Sequence, residues 1–160
     1  KFQAIIPLAK PSLKSLLGKH QKQIDDLGII IYDGKSHEVQ KAADYCLLSS
    51  GTATLEAMLY KLPMVVGYKL SWLSAFLGRL FIGKHSYWAF PNILHKNEII
   101  KEVIQEDCTV DNLYLGVKRL FDDPQRNKEI ISEFTKIHKS MVVDTDEKII
   151  EVLQSMIKKS

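Results

Sequence analysis

Apolar residues in this chain come in short bursts, separated by longer stretches in which they recur every three or four positions. The bursts are FQAIIPLA near the N-terminus, GIIIYD from Gly28, YCLLSS from Tyr45 and PMVVGY from Pro63. Runs this short and continuous predict strands buried on both faces. The stretches between them predict helices at about Ser12 to Ile24, His37 to Ala43 and Thr52 to Lys61. A repeated strand, helix, strand order predicts an α/β fold in which helices cover a parallel sheet. In the third helix Leu55, Met58, Leu59 and Leu62 follow i, i+3, i+4, i+7 spacing and face the sheet, which leaves Thr52, Glu56 and Tyr60 on a neighbouring face.

Beyond about Asn97 the pattern predicts helices only. Leu113, Val117 and Leu120 form one stripe and Ile130, Phe134, Ile137 and Met141 another, so residues 110–160 are expected to form a helical C-terminal layer. A last stripe, Ile149, Val152, Leu153 and Met156, predicts a terminal helix that packs on this domain, on another domain or on a second copy in a homodimer. Ser71 to Ile82 is richly apolar, with Trp72, Leu73, Phe76, Leu77, Leu80 and Phe81 on one broad face and Arg79 opposite. Two readings stay open for it: a core helix, or an interfacial surface meeting acyl chains or a bilayer, with Trp88, Lys69 and Lys84 in the headgroup zone.

Composition narrows the class. A chain of 160 residues, 46% apolar and 26% charged, has the make-up of one globular domain with a real core. Its 22 basic and 19 acidic residues are interspersed and leave a net charge of +3. Nucleic-acid binding usually shows a concentrated basic stripe, so nucleic acid is not an expected partner. Cys46 and Cys108 form no CxxC pair, which fits a reducing cytosol. No apolar run reaches the roughly 18–20 residues that span a bilayer and no signal-peptide pattern is present, so any membrane association is expected to be peripheral. His20, His37, His85, His95 and His138 have no metal-ligand spacing, and neither a metal nor a cofactor is expected. Because the chain opens directly on a strand-like segment, it is expected to be a piece of a longer protein.

The segment richest in chemistry is LLSSGTATLEAMLYKLPMVVG, Leu47 to Gly67, where a strand runs through Ser-Ser-Gly-Thr straight into a helix. Loops at the carboxyl ends of parallel strands are ligand sites, and the free N–H groups and dipole of a helix start favour a phosphate. Gly51 permits close backbone approach, and Ser49, Ser50 and Thr52 can add hydroxyl hydrogen bonds. A plain helix cap from Ser50 or Thr52 would leave the same pattern. Glu56 is not explained as a capping box, since the residue three positions earlier is Ala53. One turn past the loop, its carboxylate could accept from the vicinal hydroxyls of a ribose, or it could be a solvated surface residue.

The run SSGTATLEAML, followed by KLPMVVGYK, then FPNIL and IIKEVIQEDC, resembles the lipid-A-disaccharide synthase family in order and spacing over nearly the whole chain. IIKEVIQEDC reads as an acidic helix end. The resemblance implies a GT-B glycosyltransferase, of which this chain would be most of the C-terminal half, a Rossmann-like parallel sheet with helices on both faces that binds a nucleotide sugar over residues 1–160. It implies transfer of 2,3-diacylglucosamine from UDP to 2,3-diacylglucosamine 1-phosphate, giving the β-1,6 lipid A disaccharide, on the cytoplasmic side of a Gram-negative inner membrane. It also implies roles: Ser49, Ser50, Gly51 and Thr52 around the diphosphate, Glu56 on the ribose, and Asn92 facing the cleft near the phosphate or donor sugar. Tyr68 and Tyr87 are weaker candidates. Without the resemblance, Asn92 after Pro91 reads as a turn residue.

The family's acceptor-binding N-terminal half and its Gly-Ser-Arg loop would precede Lys1, so the catalytic base is expected outside this chain and the chain alone is expected to be inactive. Two rivals differ in class: a UDP-sugar 2-epimerase-like enzyme, which would need an acid–base set that only Glu56 begins to supply, and a non-catalytic nucleotide-binding module.

Overall fold

In a computed structural model of the chain, residues 2–8, 10–70, 87–142, 154 and 156 are described. Each of the four apolar bursts holds a strand: β1 (Ile5–Leu8), β2 (Ile30–Asp33), β3 (Cys46–Leu48) and β4 (Met64–Tyr68). The helices between them are α1 (Lys14–Leu17), α2 (Gln21–Asp26), α3 (Ser36–Ala42) and α4 (Thr52–Leu59). The stretch expected as one helix from Ser12 to Ile24 is split by 3-10 turns at Pro11–Leu13 and Gly18–His20. Within these turns and short helices Ile24 is the buried residue. So little burial gives a regular helix little tertiary support, and isolated short helices are marginal in water.

Every strand pairing is parallel. The ladders form two pieces, β1 with β2 and the order β3-β4-β5, rather than one continuous sheet. A fifth strand, β5 (Lys101–Ile104), corrects the expectation of helices alone after Asn97. IIKEVIQEDC is not a helix end either: it runs through β5 into a 3-10 turn at Gln105–Asp107. In KEVI two polar residues precede two apolar ones, so no period-two alternation marks the strand in the sequence; Val103 is buried in the core while Lys101 stays exposed. The remaining described helices are α5 (Phe90–His95), α6 (Val110–Asp122) and α7 (Pro124–Met141).

The core centres on β4, where Met64, Val65 and Val66 are fully buried. Successive side chains of a strand point to opposite faces. Val65 meets α6, close enough that a Cβ on Gly116 would lie 3.0 Å from its Cγ1. The other face is covered by α4, whose Ala57 and Met58 are fully buried. Helices therefore sit on both faces of this sheet, a Rossmann-like α/β arrangement. The α7 helix packs against α4 and α5 through Ile130, Phe134 and Ile137, and burying a side chain the size of Phe134 is worth about 1.5–3 kcal/mol. Both long helices start at real caps. Thr109 accepts from the Asn112 N–H ahead of α6, and Asp123 accepts from the Arg126 N–H ahead of α7, with Pro124 in the first turn.

The expectation that all strands are buried on both faces fails for the first pair. Ile5, Ile30 and Tyr32 are each at least 40% exposed. Met141, expected in the α7 stripe, is also exposed. The apolar helix expected from Ser71 to Ile82 lies outside the described residues, as do His85 and most of the stripe from Ile149 to Met156.

Candidate functional site

The chain leaves β3 at Leu48, passes Ser49, Ser50 and Gly51, and enters α4 at Thr52. Gly51 is the N-cap residue, with φ 140 and ψ −168, a conformation essentially restricted to glycine. No side chain caps this helix start, so neither Ser50 nor Thr52 plays the capping role that the sequence left open. A Cβ on Gly51 would meet nothing within 4 Å. The backbone is thus in a conformation that glycine alone takes readily, uncapped and open on the side where a side chain would stand. Ser49 and Thr52 are exposed, and Ser50 is half-buried.

Ser50 looks inward rather than out. Its hydroxyl donates to the Trp88 carbonyl at 2.7 Å. Thr54, fully buried, donates from Oγ1 to the Gly51 carbonyl at 2.8 Å and accepts from the Phe90 N–H at 3.2 Å. Both residues tie the Ser-Gly loop to the segment that leads into α5. From the other side Glu102 of β5 holds the same segment: its carboxylate accepts from the Trp88 N–H at 2.8 Å and the Ala89 N–H at 3.2 Å.

Asn92 completes this clamp, and its place corrects the expectation that it faces the cleft. It is fully buried. Its side-chain N–H groups donate to the Ile100 carbonyl at 3.0 Å and to Glu102 Oε1 at 2.7 Å, while its Oδ1 accepts from the N–H groups of Ile99 and Ile100 at 2.8 and 3.0 Å. An amide offers two donors and two acceptor lone pairs. All are used inside the protein, so Asn92 fastens α5 to β5.

Glu56 lies one turn into α4, partly exposed, with Oε2 at 3.6 Å from His37 Nδ1 of α3. The Tyr60 hydroxyl is 3.5 Å from the same nitrogen. Tyr68 ends β4 and its ring centroid lies 6.2 Å from that of Trp88. Tyr87 is half-buried beside it in sequence. The parallel register that pairs Leu48 with Val66 brings Ser50 level with Tyr68. The loop, Tyr68 and the Trp88 segment therefore converge at the carboxyl ends of β3 and β4, where open α/β sheets bind ligands.

The family described as Lipid-A-disaccharide synthetase matches residues 1–153. The chain belongs to the lipid-A-disaccharide synthetase family. Among its relatives is the Lipid-A-disaccharide synthase of Francisella tularensis subsp. tularensis (strain WY96-3418), 71% identical over 160 residues that make up 100% of this chain and 42% of the relative. The Lipid-A-disaccharide synthases of subsp. holarctica (strain LVS) and subsp. novicida (strain U112) match with the same identity and coverage. The chain thus spans under half the length of these curated relatives.

For this member of the synthetase family, sequence reasoning missed Thr54 and Glu102, and read Trp88 only as a headgroup-zone residue. Thr54 was hidden inside a helix pattern and Glu102 inside a segment read as helical, where the order Lys-Glu-Val-Ile carries no period-two signal of a strand. His37 sits by Glu56, and His95 pairs with Glu133 of α7 at 3.3 Å. A pocket of about 200 Å³ between β5 and the start of α6 is lined by Lys101, Glu102, Asp107, Asn112 and Arg119 among others, and by none of the residues expected to bind a ligand. Among the described residues no His, Cys, Asp and Glu group could hold a metal ion, and no helix is long and apolar enough to cross a membrane.

Proposed function

We propose that this chain is the donor-binding part of a lipid A biosynthesis glycosyltransferase, which moves 2,3-diacylglucosamine from UDP to 2,3-diacylglucosamine 1-phosphate and forms a β-1,6 disaccharide. The observation that carries it is the uncapped start of α4 behind Gly51, at the carboxyl end of β3, in a chain 71% identical to proteins named Lipid-A-disaccharide synthase. The diphosphate lies against the backbone at Gly51 and Thr52, where free N–H groups and the helix dipole favour an anion. As the glycosidic bond breaks, charge grows on the departing UDP, and donors already fixed in place stabilise it without reorganising. The exposed Thr52 hydroxyl is available to a phosphate oxygen, with Ser49 beside it. Ser50 has its proton committed to Trp88, so it contributes through its backbone and through the placement of the loop.

Glu56 takes the ribose hydroxyls, and Tyr68 and Tyr87 stand at the rim. Asn92 acts through Glu102 and the Trp88 segment as a positioning residue. The base that activates the acceptor hydroxyl belongs to another part of the enzyme, which works as a peripheral protein on the cytoplasmic face of the inner membrane. The test is titration of the full-length enzyme with UDP. Glu56→Gln removes a charge-assisted hydrogen bond, so affinity should fall by about 1.5–3 kcal/mol. Unchanged affinity removes Glu56 from the site.

A further inference from the structure

Trp88 is held by hydrogen bonds to its backbone. Its N–H donates to Glu102 and its carbonyl accepts from Ser50, while the next two N–H groups go to Glu102 and Thr54. These bonds fix where the side chain starts, one hydrogen bond from the loop that holds Gly51. Trp88 is only partly buried, as is Tyr68, whose ring lies 6.2 Å away at 43°. The pair forms an aromatic surface one hydrogen bond from the loop that precedes the uncapped helix start. Aromatic faces suit the C–H face of a hexose and the first methylenes of an acyl chain, and carry no charge that would select a phosphate.

We infer that Trp88, backed by Tyr68, is the shelf on which the acylated sugar of the donor packs, which makes Trp88 a specificity-determining residue for the sugar and not for the nucleotide. This rests on the placement of the diphosphate at Gly51 and Thr52 proposed above. The substitution W88A leaves the backbone anchors in place, because Ser50, Glu102 and Thr54 hold main-chain atoms only.

The experiment measures affinity of the full-length enzyme for UDP and for UDP-2,3-diacylglucosamine in four forms: unaltered, W88A, W88F and E56Q. W88A should bind UDP as before but the sugar nucleotide roughly tenfold more weakly, with W88F restoring most of the difference. Equal loss for both ligands in W88A would make Trp88 a nucleotide contact, and no loss for either would remove it from the site; each overturns the shelf. E56Q separates the two proposals. If E56Q weakens UDP while W88A leaves the sugar nucleotide untouched, only the shelf fails. If E56Q has no effect while W88A acts on the sugar nucleotide alone, the ribose contact fails and the shelf stands.

Discussion

Asn92 and Glu102 meet through one hydrogen bond of 2.7 Å, from the Asn92 side-chain N–H to Glu102 Oε1, and that contact couples the core to the candidate site. Behind it, Asn92 satisfies the buried N–H groups of Ile99 and Ile100. Ahead of it, Glu102 holds the Trp88 and Ala89 N–H groups. Asn92→Ala leaves two buried donors without partners, so stability should fall by about 1–3 kcal/mol for each. Urea unfolding measures this. A variant as stable as the parent that has lost UDP affinity would return Asn92 to a direct ligand contact.

Gly51 offers a sharper separation of folding from binding. At φ 140 an alanine is strained, although its Cβ would touch nothing, and the cost is on the order of 1–3 kcal/mol. The chain can avoid it by rotating the loop, which would move the N–H groups at the start of α4. Gly51→Ala is expected to lose UDP affinity by more than it loses stability, whereas Gly18→Ala, at φ −53 with open space around it, should leave binding intact. Equal UDP binding by both variants would detach the loop from the nucleotide.

The legible parts of the fold are those where burial and periodicity agree. PMVVGY became the central strand because both of its faces are covered, and the Ile130, Phe134 and Ile137 stripe became the inner face of α7. FQAIIPLA and GIIIYD were read with equal force, yet they pair mainly with each other and remain half-open, since an apolar run states a need for cover without naming what supplies it. The site was legible where local chemistry is enough, as in the Gly51 turn. It was illegible where tertiary contacts decide. Asn92 in FPN carries the same local signal whether it faces a ligand or closes four hydrogen bonds in the core, and only the arrival of Ile99, Ile100 and Glu102 separates the two.

Cys46 gives a test in pH. Burial pushes its thiol from an ordinary 9.0 up to about 12, because desolvation disfavours the thiolate. Between those values the unfolded chain has lost a proton that the folded chain keeps, so fewer protons are bound in the unfolded state and stability falls as pH rises. Below pH 9 both states hold the proton and the effect vanishes. Urea midpoints at pH 8, 9 and 10 should decline for the parent and decline less for Cys46→Ala. Rapid alkylation of Cys46 in the folded protein at pH 8 would contradict the burial.

The last expectation concerns what these 160 residues do by themselves. The groups gathered around Gly51 are suited to holding a diphosphate and a ribose: backbone donors, hydroxyls and a carboxylate beside His37. Inverting transfer also needs a base within reach of the acceptor hydroxyl and a cleft that aligns both substrates, and alignment alone can account for several orders of magnitude in rate. With the chain covering 42% of its relatives' length, the isolated 160 residues should bind UDP weakly and form no disaccharide. Adding the remainder of the enzyme as a separate polypeptide should restore turnover, and Glu56→Gln in the 160-residue chain should weaken it in the restored mixture. Turnover by the 160 residues alone would place the base among them and overturn the proposed division of labour, with His37, already 3.6 Å from Glu56, the first residue to replace.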